Sequence, residues 1–167
     1  MPFPHARCTT LLGLTAALLA ACGGSASPSS PTPTPLTPSQ IQAHYAATAL
    51  HYNQVEAQIA ATENAACDAT SATVALGACQ SALSEQRQLT IAYDNALRAI
   101  PFGGSAATDA ARLLGDDAAI EKLLEQAATA PAIAVIATLQ QQVIPLLATA
   151  ATDATALRAA IGLPAPA

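Results

Sequence analysis

The chain has 167 residues, enough for one domain with a single core and too few for two. Hydrophobic residues make up 52% of it but aromatics only 3%, with no Trp, and about a quarter of all residues are Ala. Such a composition gives a shallow core and favours packed helices over sheets, which want β-branched and aromatic residues. The net charge of −5 comes from eleven acidic side chains against six scattered basic ones, which argues against nucleic acid as a partner and against a polybasic membrane patch.

Residues 1–21 read as an export signal. Arg7 lies in a short leading region, an apolar stretch runs from Leu11 to Ala21, and small residues precede Cys22. The stretch is too short to span a bilayer, which takes about 20 apolar residues, and Gly23-Gly24 and a polar segment follow it. Leu19-Ala20-Ala21-Cys22 resembles the bacterial lipobox. The resemblance covers residues 1–22 and implies a membrane lipoprotein: diacylglycerol on Cys22, cleavage before it, and an exported chain anchored to the outer face of the cytoplasmic membrane, or to the periplasmic leaflet of an outer membrane. A diacyl group anchors stably where a single acyl chain binds reversibly.

Residues 22–38 contain the lipidated cysteine and a run of Ser, Thr, Pro and Gly that cannot bury enough apolar area to order itself. This segment is expected to be a semi-rigid tether, holding the next domain up to roughly 40 to 50 Å from the lipid.

From residue 39 to 163 the sequence reads as an all-α domain, with 164–167 as a tail. Ile41, Tyr45, Thr48, Tyr52, Val55, Ile59, Thr62 and Ala66 recur at alternating spacings of four and three, which predicts a first helix from Ser39, its expected N-cap, to about Cys67. Leu76, Cys79, Leu83, Thr90, Tyr93 and Leu97 mark a second helix, ended by Pro101 and the Gly103-Gly104 pair. Ser105 is the expected cap of a third, whose apolar face is Ala110, Leu113, Leu114, Ile120, Leu123, Leu124 and Ala127. A fourth begins near Pro131 and stops at Gly162 and Pro164, with Pro145 inside it predicting a kink or a split. Short connections make an antiparallel up-down-up-down four-helix bundle the simplest packing. Its competitor is a three-helix core with a loosely attached, broken fourth helix. A membrane crossing by residues 131–147 is not expected, because Gln140-Gln141-Gln142 and Pro145 interrupt a short, Ala-rich run.

Two cysteines remain after Cys22 and the discarded Cys8. Cys67 ends the first helix and Cys79 begins the second, so in an oxidising compartment they are expected to form a disulfide across the hairpin. Candidate chemistry is sparse. His44 and His51 lie two helical turns apart, roughly 10 Å, too far for both to bind one metal. Glu-x-x-His and CxxCH motifs are absent, and no Ser/His/Asp or Cys/His set can be nominated. Asp116, Asp117, Glu121 and Glu125 form an acidic stripe that reads first as a solvated helix face and second as a cation site.

No cofactor is expected. The sequence predicts a lipid-anchored, non-enzymatic envelope protein whose bundle surface, or a groove beside Pro145, docks another envelope protein. The alternative is a carrier of a small ligand or metal, using His44, His51 or the stripe of Asp117, Glu121 and Glu125.

Overall fold

The computed structural model describes residues 35–67 and 75–164. The signal segment, Cys22, the tether up to residue 34 and the last three residues of the tail lie outside the described residues. Four helices and no strands occur among the described residues: α1 (Pro38–Cys67), α2 (Leu76–Arg98), α3 (Gly104–Ala128) and α4 (Ile133–Ala160).

The first helix starts at Pro38 rather than Ser39. Thr37 and Gln40 close a capping box: the Gln40 N–H donates to Thr37 Oγ1 at 3.3 Å and the Thr37 N–H donates to Gln40 Oε1 at 2.8 Å. Pro38 takes the first helical position, where a missing N–H costs nothing. Ser39 has the same spacing to Gln42, but Gln42 is engaged elsewhere, donating to the Ile161 carbonyl at 2.6 Å. The expected cap Ser105 lies inside α3, whose N-cap position is Gly103, and Gly104 takes a left-handed φ of 57° that glycine adopts without strain. At the far end of the chain Gly162 (φ 78°) closes α4, with Leu163 N–H donating to the Arg158 carbonyl and Gly162 N–H to that of Ala159.

The helices run antiparallel in sequence order. The α1–α2 hairpin carries the Cys67–Cys79 pair, whose sulfurs sit at disulfide distance with Cα atoms 4.8 Å apart. Arg87 meets Glu125 across the α2–α3 seam at 3.5 Å, and Gln80 donates to the Ala130 carbonyl at 2.9 Å. Arg112 pairs with Asp109 on its own helix and reaches Asp153 of α4 at 3.7 Å. Each consecutive pair of helices packs closely, α3 with α4 most extensively, so the fourth helix belongs to the bundle and the three-helix alternative fails.

Nor is α4 split. It continues through Pro145, which is exposed, as is Gln141, the residue whose carbonyl it leaves without an N–H. By length and composition the unbroken α4 would suffice to cross a membrane, with a mean hydropathy of 1.5 over its most apolar window, a longer run than residues 131–147 suggested. Ile136, Ala150 and Leu157 pack into the bundle core, while Val135, Ile144 and Leu147 stay exposed.

The apolar core is narrow, as the Ala content requires. Leu83 and Leu97 of α2, Leu113, Ile120 and Leu124 of α3, and Ile136 and Leu157 of α4 supply the large buried side chains. α1 contributes Tyr45 alone, which stands edge-on to Phe102 with ring centroids 6.3 Å apart.

Candidate functional site

The seam between α1 and α4 is the one that does not close. The two helices are joined at one end by Gln42 and Ile161 and at the other by Gln140, which donates to Glu63 at 2.9 Å. Between these bridges lie two adjoining clefts of about 300 and 360 Å³, both lined by Tyr52, Glu56, Asp117 and Leu147. Counted from Tyr45 to Glu63 along α1, the groove they form is about 25 Å long.

Sequence explains the opening. α1 turns Tyr45 and Tyr52 of the expected stripe toward the groove, together with Ala49, Glu56, Ala60 and Glu63, each one position on from Thr48, Val55, Ile59 and Thr62 of that stripe. Alanine and glutamate at these positions cannot fill the space that Leu fills on the other seams. α4 answers with Val143, Ile144, Leu147 and Ala151, an apolar wall of which Leu147 is 50% exposed and Ile144 56% exposed.

The floor is polar. Asp94 of α2 is fully buried and Asp117 of α3 is only 7% exposed, so the reading of the acidic stripe as a solvated face is wrong at its most important member. α3 buries Ala106, Ala110, Leu113, Asp117, Ile120, Leu124 and Ala127, an alternation of four and three in which Asp117 occupies a core position. Asp94 likewise lies inside the stripe of Leu83, Thr90 and Leu97. Arg98 donates to Asp94 Oδ2 at 2.9 Å, an ion pair that looks like an ordinary surface pair in sequence but has one end buried.

Among the described residues, neither Asp94 Oδ1 nor Asp117 Oδ2 has a hydrogen-bond partner. Two carboxyls in this situation share a proton. Burial pushes the Asp94 carboxyl up, opposed by its hydrogen bond with Asp117 and by the charge of Arg98. Asp117 keeps the proton: burial first, then the adjacent Asp94 charge, raise its carboxyl to about 8.

Tyr52 and Tyr93 pack with ring centroids 4.5 Å apart; burial and then the charge of Asp117 push the Tyr52 phenol up to about 12, and burial and then the neighbouring Tyr45 push the Tyr93 phenol up. Burial also raises Glu63 on the groove wall, an effect the Gln140 amide opposes.

The other candidates do not assemble. Among the described residues no group of three or more His, Cys, Asp or Glu side chains is placed to hold a metal ion. His44 and His51 are exposed on α1, Glu125 is exposed and faces Arg87, and Glu121 is half-buried, leaving Asp117 as the one member of the proposed set that points into the groove. Cys22 lies outside the described residues.

Glu56 and Glu63 were not singled out from the sequence; Tyr93 reads there only as part of the apolar stripe of the second helix, and Asp94 only as the ordinary i, i+4 partner of Arg98. A signal for Asp94 and Asp117 existed: each is a carboxylate at a position where the helical repeat calls for an apolar residue. The glutamates gave none, since polar residues on an alanine-rich helix read as its solvent side. No protein family, no curated protein and no solved structure matches the chain.

Proposed function

We propose that this protein is an exported lipoprotein, anchored through Cys22, whose helical bundle binds a small ligand in the groove between α1 and α4. The observation that carries the ligand-binding reading is the combination of an open, partly apolar groove with the buried carboxyl of Asp117 at its floor, coupled to that of the fully buried Asp94. Binding sites for small molecules are concave, mostly apolar and fitted with a few polar groups that fix orientation. Buried carboxyls also weaken a bundle, so their presence in a core this shallow has a functional explanation readier than a structural one. The groove contains no arrangement of nucleophile and base, which favours binding over turnover.

The tether and lipid would hold such a groove near the membrane surface yet clear of it. Replacing Cys22 by Ala should release the chain from membranes or leave it unprocessed, and unchanged membrane retention and processing would overturn the anchor. For the groove, a neutral apolar dye such as N-phenyl-1-naphthylamine should bind the purified full-length chain with one-to-one saturation, and Ala60→Trp, which fills the cleft from α1, should abolish it. Equal dye binding by the two proteins, or none by the unmodified one, would overturn the ligand-binding reading.

A further inference from the structure

We infer that the groove is selective for an amphiphilic organic cation, a primary ammonium on an apolar body, with the ammonium placed against Asp117 and the body along the α4 wall. The inference rests on the ligand-binding reading above and adds the chemical class of the ligand.

Charge is the first reason. The cleft nearer the disulfide is lined by the three carboxyls of Glu56, Glu63 and Asp117 and by no Lys, Arg or His. In the adjoining cleft the one basic residue is Arg158, and its guanidinium is already engaged with the Pro164 carbonyl at 2.9 and 3.0 Å. An anionic ligand in the first cleft would meet carboxyls and no basic side chain, whereas a cation meets in Asp117 a carboxyl that forms no ion pair among the described residues.

Hydrogen bonding is the second. Asp117 is more than nine-tenths buried, lines both clefts, and its Oδ2 has no hydrogen-bond partner among the described residues. A primary ammonium carries three donors on a compact head and forms a charge-assisted bond with such an acceptor. Shape is the third. Ile120, Leu124, Val143, Ile144 and Leu147 offer a continuous apolar surface beside that carboxyl, and the rings of Tyr52 and Tyr93 stand next to it with faces suited to a cation.

Binding would exchange one cation for another. The proton that Asp117 shares with Asp94 leaves as the ammonium arrives: the protonated Asp117 and the ammonium become a carboxylate–ammonium pair plus one free proton. The groups facing Asp117 allow this exchange. α1 presents Tyr52 and Glu56, α2 presents Tyr93 and Asp94 with its Arg98, α3 adds Asp116 and Glu121, and α4 contributes Arg158. Arg98 is paired with Asp94, and Arg158, whose charge the Pro164 carbonyl does not cancel, lies at the far end of the adjoining cleft; the remaining charged neighbours of Asp117 are anionic.

The test compares decylammonium, decanol and decanoate as competitors of the dye on the purified full-length chain, all below their micelle-forming concentrations. Decylammonium should compete at least about tenfold better than decanol, and decanoate worse than either. Calorimetry in buffers of different ionisation enthalpy should find close to one proton released per decylammonium bound near pH 6.5, and a smaller release above pH 9. Asp117→Asn should lose both the preference for decylammonium over decanol and the proton release, each read by calorimetry without the dye. Dye binding with equal or better competition by decanol or decanoate would overturn the cation assignment and leave the groove as a binding site. An ammonium preference that survives Asp117→Asn would overturn the role of Asp117. Failure of the dye itself to bind would remove the ligand-binding reading and the cation assignment together.

Discussion

The seam between α2 and α3 and the seam between α1 and α4 are made from the same small alphabet, yet one is closed and the other open. α2 and α3 face each other with Leu83, Leu97, Leu113, Ile120 and Leu124, all buried. α1 and α4 touch through two glutamine bridges, and between them α1 offers Ala and Glu where α2 offers Leu. A four-helix bundle therefore holds together on three seams and gives up the fourth when one helix lacks side chains long enough to span the gap. Asp94 and Asp117 lie in the closed seam and Asp117 opens onto the groove, so the polar site is held by the closely packed half of the molecule and reached through the open seam.

Substitutions can sharpen this contrast. The largest expected effect is on the closed side: Leu83→Ala removes a fully buried side chain and should cost about 2 to 5 kcal/mol in urea unfolding. A loss no greater than for an exposed site would mean that the α2–α3 seam is not the stabilising one.

Asp117→Asn should act in the opposite direction. The folded-state value of Asp117 is raised from 3.8 to about 8, so between these values the folded chain keeps a proton that the unfolded chain has lost. That linkage is fully in place below pH 4, and stability falls as pH rises toward and through 8. Measured as melting temperature against pH, the unmodified protein should lose stability across this window. Asp117→Asn should flatten the slope and gain about 2 to 4 kcal/mol relative to it above pH 8. Parallel pH profiles would break the account of the pair.

A smaller loss is expected at the hairpin. Cys67→Ser opens a loop with a sequence separation of 12 and should cost about 2 to 3 kcal/mol, matched by adding reductant to the unmodified protein. Smallest of all is Leu147→Ala on the groove wall. This half-exposed residue should change stability by no more than about 0.5 kcal/mol while weakening dye binding in the groove. A loss of stability comparable to that of Leu83→Ala would show that the α1–α4 seam is closed in solution.

Much of this architecture is legible in the chain itself. Alternation of four and three, the Pro101-Gly103-Gly104 break and the terminal Gly162 locate the helices, and the positions of Cys67 and Cys79 at facing helix ends locate their pairing. The starts of α1 and α3 were less legible. Two rival capping pairs stand side by side at Thr37 to Gln42, and only the Ile161 carbonyl, which claims Gln42, decides between them. The candidate site was legible at Asp117 alone, and there with the wrong burial.

By itself, then, the sequence determined a helical bundle of limited core, a disulfide-sized approach of two cysteines, and through Leu19-Ala20-Ala21-Cys22 the expectation of a lipid anchor. Local rules suffice there, because periodicity, breakers and chain spacing act within a few residues of one another. Which side of α1 meets α4, and whether the carboxyls of Asp94 and Asp117 meet each other or water, was decided only by the tertiary structure. Those questions concern residues on different helices, and an alanine-rich helix has too weak an apolar face to fix its own rotation before its neighbours pack against it.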